Sequence, residues 1–171
     1  MHDTLRGRLV VLRPVGPDDI APLNEVLATP EVARWWPAYD GPRVEREFLA
    51  SDDDETIYVI ERGGQPIGAI IANEEQEPEF RHASIDLFLD PAFHGQGLGT
   101  DAIRTVAASL IDDEGHHRLT IDPAADNEIA IRVYERVGFR PVGRLRRYQR
   151  MADGAWADGL LMEMLADELV R

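Results

Sequence analysis

Apolar positions along the chain switch between a spacing near two and one near 3.6, and the switches lay out the predicted elements. Residues 8–13 form a β-branched and leucine run that predicts a strand, and Pro17-Asp18-Asp19 offers a cap ahead of Ile20, Leu23, Val26 and Leu27 at helical spacing. A second helical stretch is predicted over 30–36, and a third opens at Gly41-Pro42 with Val44, Phe48 and Leu49 as its apolar set. The acidic run 52–55 reads as a solvated turn. Beyond it, 56–61 and 66–72 are strand-like, and Arg62-Gly63-Gly64-Gln65 has hairpin chemistry, which predicts an antiparallel pair. Residues 73–81 are polar and acidic.

Along 83–89, Ala83, Ile85, Leu87 and Leu89 alternate with Ser84, Asp86 and Phe88, as in a strand with one wholly apolar side. After the glycine loop His94-Gly95-Gln96-Gly97-Leu98-Gly99-Thr100, the positions Ala102, Ile103, Val106, Ala107, Leu110 and Ile111 predict a helix, and 118–122 a short strand. Asp126 or Asn127 can cap a further helix through Ala130, Val133 and Val137, which Gly138 can close in the left-handed conformation. A last pair of strands is predicted over 140–150 and 160–165 about the turn Asp153-Gly154-Ala155. With no repeat or linker, residues 1–171 are expected to form one α/β (α+β) domain, a mixed and mostly antiparallel sheet flanked by helices.

Composition narrows the function. The 171 residues, 44% of them hydrophobic, suffice for one sizeable core, and the apolar runs 9–12 and 67–72 are far shorter than a bilayer span. The reading is a soluble, unexported, cytoplasmic protein, as a monomer or a homodimer, with no membrane partner. The absence of cysteine excludes thiolate metal sites, disulfides and a cysteine acyl-enzyme. A net charge of −14 repels nucleic-acid phosphates and attracts cations. It fits a small polycationic substrate, and equally a surface that is acidic only for solubility.

The glycine loop lies between a predicted strand and a predicted helix, where unpaired N–H groups can cradle a pyrophosphate. No third glycine stands at Ile103 and no Gly-Lys-Ser/Thr follows, so the loop is neither a dinucleotide fingerprint nor a Walker A loop. Asp86, within an apolar strand, needs either a protein cation or a ligand. With an ordinary carboxyl near ~3.9 it would be a weak base for an amine and could act through water or by positioning. The adjacent His116-His117 point apart in a strand approach and lack clustered ligands, so no metal site is expected. Arg144-Leu145-Arg146-Arg147 reads as a solvated strand face, from which one arginine could meet a phosphate.

The loop 94–99 resembles the Arg/Gln-x-x-Gly-x-Gly/Ala loop of the GCN5-related N-acetyltransferase (GNAT) superfamily, with His94 departing from the pattern. Asn127, Ala130, Tyr134, Gly138 and Phe139 resemble its N-x-x-A-x-x-x-Y-x-x-x-G-F segment. Along almost its whole length the chain further resembles aminoglycoside 6′-N-acetyltransferases, through Val32-Ala33-Arg34-Trp35-Trp36, Gly68, Ile85-Asp86, the loop 94–100 and Thr120-Ile121-Asp122-Pro123. The resemblance implies a sheet splayed near 83–89, acetyl-CoA as cosubstrate and direct transfer to an aminoglycoside amine. It implies that His94, Gly95, Gln96, Gly97, Leu98, Gly99 and Thr100 bind pyrophosphate, that Asn127 contacts the pantetheine arm, and that a strand N–H near Leu87 or Phe88 polarises the carbonyl. Tyr134 would protonate the departing thiolate, Asp86 would serve as base, Asp122 would contact the amino sugar, and Trp35 and Trp36 would line the acceptor pocket. Structural alternatives stand beside these roles: a helix cap for Asn127, a loop cap for Asp122, an arginine ion pair for Asp86, and core packing for Tyr134 and the tryptophans. A protein N-terminus, a siderophore-type amine, or a silent acyl-CoA-binding domain are the alternative functions; Asp86 and Tyr134 argue against the last.

Overall fold

A computed structural model describes residues 3–50 and 53–171, so Asp52, in the expected acidic turn, lies outside the described residues. In chain order the elements are β1 (Leu5–Arg6), β2 (Val11–Pro14), α1 (Ile20–Leu27), α2 (Pro30–Ala33), α3 (Gly41–Phe48), β3 (Glu55–Arg62) and β4 (Gln65–Glu75). There follow β5 (His82–Leu89), α4 (Leu98–Asp112), β6 (Arg118–Ile121), α5 (Glu128–Val137), β7 (Arg140–Arg150) and β8 (Trp156–Leu165). The strands form one sheet in the order β1-β2-β3-β4-β5-β6-β8-β7, in which only β5 and β6 run parallel. This is the mixed, mostly antiparallel sheet that the period-two runs predict.

Its two faces bury separate cores. On one, Ala83, Ile85 and Leu89 of β5 pack with Leu98, Ile103 and Val106 of α4 and Val137 of α5. On the other, Phe88 joins Val59, Ala69, Leu23, Leu27, Val44 and Phe48 under α1 and α3. The alternation along 83–89 therefore feeds both cores, and Asp86 shares the Phe88 side.

Some boundaries differ from expectation for polar reasons. The strand expected over 8–13 begins at Val11, because the N–H groups of Arg8, Leu9 and Val10 donate to the Asp101 carboxylate at 3.2, 2.7 and 3.1 Å instead of to a neighbouring strand. Helix α2 stops at Ala33, short of the tryptophans, which continue as a turn with Trp35 N–H and Trp36 N–H both bonded to Val32 O. Residues 73–75 extend β4, since their backbone completes the ladder to β5, with Asn73 opposite Ser84 and Glu75 opposite His82. Residues 156–159 likewise join β8. His116, expected only to point away from His117, is fully buried with Nε2 2.6 Å from Glu74 Oε2.

The feature that positions the site is a parting of the sheet. Strands β5 and β6 pair only at Ala83 with Leu119 and Ser84 with Thr120, so residues 85–89 have no strand partner on that side. The chain after β6 crosses to β8 instead, where Leu160 N–H donates to Pro123 O and Ala125 N–H to Asp158 O, both at 2.8 Å. A slot lined by unpaired backbone opens through the sheet, as the resemblance implies.

Candidate active site

The glycine loop closes one end of the slot. Asp90 Oδ1 accepts from Ala92 N–H at 2.9 Å to start a short 3-10 turn, and His94 Nε2–H donates to Leu89 O at 2.8 Å, tying the loop back to β5. His94 therefore anchors the loop through its ring. Gly95 and Gly97 adopt φ of 73° and 79°, a region costly for residues with a Cβ, and Gly97 caps α4. The first backbone bond into the helix runs from Asp101 N–H to Gly97 O at 3.0 Å. The N–H groups of Gln96, Leu98, Gly99 and Thr100 consequently have no acceptor among the described residues. Free amides at the positive end of a 15-residue helix suit a pyrophosphate, so the donor set fits CoA. Gly99 lies beside β5: a Cβ there would sit 3.9 Å from Leu87 Cδ1.

Asp86, midway along β5, has no hydrogen bond or ion pair among the described residues, so the arginine partner considered from sequence is absent. Its side chain is solvent-exposed at the slot, although protein crowds closely around it. Desolvation, and then the like charge of Asp122, push it up to about 7. An ordinary aspartate near ~3.9 is a weak base for an amine, and the upward shift moves this carboxyl toward the range where a general base is useful.

Tyr134 enters from the opposite face on α5, buried and edge-on to Phe139 at 6.4 Å between ring centres. Its phenol is raised well above its usual value by burial and then by Asp86 and Asp122. Among the described residues only His116 Nδ1 is a sealed polar atom without a partner, so the Tyr134 hydroxyl, which has no hydrogen-bond partner there, is not fully sealed. The phenol and two carboxylates thus share one electrostatic field. The raised phenol is a weaker acid than an ordinary tyrosine, and it suits hydrogen-bond donation to sulfur better than the full protonation of the thiolate that the resemblance implies.

Asp122 stands at the slot where β6 ends, and Tyr148 of β7 donates its hydroxyl to Asp122 Oδ2. Tyr148 gave no signal in the sequence, because the contact spans residues 26 apart and depends on the β7–β8 hairpin. Asn127 Oδ1 caps α5 by accepting from Ala130 N–H at 3.3 Å, which leaves its amide NH₂ uncommitted for a ligand. The capping alternative is therefore present in the fold.

The tryptophans divide. Trp36 is half-buried, edge-on to Phe88 at 5.2 Å and to Tyr39 at 5.5 Å between ring centres, and so leans on the core. Trp35 lies under the Arg34 guanidinium at 4.5 Å, and its carbonyl accepts from Gln149 Nε2 at 3.0 Å. Phe88 is buried, so only its backbone can face the slot. Tyr39, also unforeseen, packs edge-on to Trp36 and under the Arg43 guanidinium at 3.9 Å, and burial raises its phenol.

The family model for the acetyltransferase (GNAT) domain matches residues 9–140. The chain belongs to the GNAT family. It is accordingly an N-acetyltransferase, and its mixed sheet flanked by helices is that of the fold. It is 31% identical over 153 residues to aminoglycoside N(6′)-acetyltransferase type 1 of Klebsiella pneumoniae, covering 78% of this chain and 75% of that one. It is 28% identical over 148 residues to spermidine N(1)-acetyltransferase of Escherichia coli (strain K12), covering 80% and 75%. Mycobacterium smegmatis RimJ, solved in complex with CoA-disulfide, superposes with a TM-score of 0.85 at 26% identity, covering 100% of this acetyltransferase and 93% of that chain. Among the described residues no helix is long and apolar enough to cross a membrane.

Proposed function

We propose that this acetyltransferase moves an acetyl group from acetyl-CoA to a primary amine of a polycationic small molecule, with the 6′-amine of an aminoglycoside as the leading acceptor. The observation that carries the reading is the pair Asp86 and Asp122, which repel each other at the slot and have no cationic partner among the described residues. An acceptor with several ammonium groups supplies the missing charge, and charge-assisted hydrogen bonds then fix one amine for attack. The relatives are named for aminoglycosides and for spermidine, molecules that carry several amines, and the net charge of −14 draws such cations in.

Acetyl-CoA supplies an activated thioester. The residues of this chain do the rest. Amides of the loop 94–100 hold the pyrophosphate, Asn127 offers its NH₂ to the pantetheine arm, and unpaired backbone of β5 near Leu87 or Phe88 polarises the carbonyl. Asp86 takes up the proton that the amine loses, directly or through water, while Tyr134 donates a hydrogen bond to the departing sulfur. Trp35 and Trp36 border the acceptor side. The acetyl carbon–sulfur bond breaks as the carbon–nitrogen bond forms, with no covalent enzyme intermediate.

A thiol-release assay with kanamycin, spermidine, a peptide with a free N-terminus, a siderophore-type amine and a simple monoamine tests this reading. Turnover on kanamycin or spermidine well above the others supports it. Preference for the peptide or siderophore amine overturns the acceptor, and tight CoA binding without turnover on any amine overturns catalysis.

A further inference from the structure

Strand β7 forms one edge of the sheet, and the larger of its two irregularities lies where it reaches toward Asp122 and Trp35. Its pairing with β8 slips between Leu145 and Gln149, and within the slip Arg147 takes φ of 50°, a left-handed conformation rare for a residue with a long side chain. Asp158 of β8 holds this bulge. Its Oδ1 accepts from Arg147 N–H at 2.8 Å and its Oδ2 from Arg144 Nε at 2.7 Å. Two contacts leave the bulge for the site: Tyr148 hydroxyl to Asp122 Oδ2, and Gln149 Nε2 to Trp35 O at 3.0 Å. Gly159 makes room for the first, since a Cβ there would lie 2.8 Å from Tyr148 Cδ1. A strained edge strand is therefore pinned so that it grips both acceptor-side segments.

We propose that Tyr148 is a positioning residue that presents Asp122 to a second ammonium group of the acceptor, so that the β7 bulge selects polyamines over monoamines. The inference rests on the polycationic reading of the same slot and adds the device that reads the charge. The hydroxyl engages only Oδ2, which leaves Oδ1 for the ligand. The phenol is pushed up to about 12, chiefly by its hydrogen bond to Asp122, so it stays a donor throughout the working pH range. Asp86 and Asp122 then have separate tasks: one serves the reacting amine, the other a distant cation.

The test compares kcat/KM for the better of kanamycin and spermidine with kcat/KM for a simple alkyl monoamine, in wild type, Tyr148→Phe and Gly159→Ala. Tyr148→Phe removes the hydroxyl and keeps the ring; Gly159→Ala keeps the hydroxyl and displaces the ring. The polyamine-to-monoamine ratio is expected to fall about tenfold in both, through KM rather than kcat, with acetyl-CoA affinity retained. The double variant is expected to be no worse than either single one, because both act through one contact. A wild-type ratio near one refutes the polycationic reading itself. A high wild-type ratio that survives Tyr148→Phe refutes the role of Tyr148 alone, and a fall in kcat for both amines equally assigns the contact to general structure and overturns the proposal.

Discussion

Replacing Asp86 with asparagine keeps the shape of the side chain on β5 and removes its charge. Because the carboxyl is pushed up to about 7, it is about half ionised at pH 7, about nine-tenths at pH 8 and about one-tenth at pH 6. The amine's own ionisation also changes over this range, but it cancels in the ratio of wild-type kcat/KM to that of Asp86→Asn. At pH 8 this ratio is expected to be at least ~10, or ~1.4 kcal/mol of transition-state stabilisation. It should fall about fivefold from pH 7 to pH 6 and level off above pH 8. Stability must move in the opposite sense. A carboxyl raised above its unfolded value binds a proton more tightly in the native state, so ionisation weakens the fold through the window from about 4 to about 7, and the full cost is present above it. Asp86→Asn should therefore raise Tm more at pH 8 than at pH 5. Steady-state kinetics across pH 5.5–8.5 with parallel calorimetric melts decide the matter. A ratio that stays flat across that range would mean an ordinary aspartate with no proton or charge role and would refute the reasoning.

Tyr134→Phe should lower kcat about tenfold while the Kd for acetyl-CoA, read by calorimetry, changes less than about twofold; unchanged kcat reduces Tyr134 to packing against Phe139. Gly97→Val places a β-branched residue at φ of 79°, which costs about 1–3 kcal/mol and moves the amides that face the pyrophosphate, so acetyl-CoA Kd should rise about tenfold or more. Equal affinity in the folded variant makes the loop a plain turn. Asp101→Ala deprives three backbone N–H groups of their acceptor, at a cost of about 3 kcal/mol, and should lower Tm by roughly 6–12 °C in circular-dichroism melts. A drop below about 2 °C means that water replaces the carboxylate.

Where the signal was local, the sequence sufficed. Alternation along β5, helical spacing in α4 and the hairpin chemistry at Gly63-Gly64 each predicted an element that is present, because each depends on side-chain period and turn conformation within a few residues. Asp86 stood out as a charge inside an apolar strand for the same reason. Contacts between distant segments left no such trace. Asp101 holding the chain at Arg8, Leu9 and Val10, Tyr148 on Asp122, and His116 against Glu74 join residues 26 to 93 positions apart. Each replaces a local preference with a long-range hydrogen bond. The raised carboxyl of Asp86 was hidden likewise, since its causes are the surrounding protein and Asp122 across the slot. Asn127 shows the converse: one side chain fitted both a cap and a ligand contact, and the fold uses its oxygen for the cap.

The central claim is that this acetyltransferase joins the acetyl group of acetyl-CoA to an amine of a polycation within one complex. Mass spectrometry after reaction with isotopically labelled acetyl-CoA and an equimolar mixture of kanamycin, spermidine and a peptide tests it most directly. The label is expected on a single amine of kanamycin or spermidine, with none left on the protein at any time. Label confined to the peptide, or trapped on the protein before it reaches an amine, would contradict the account.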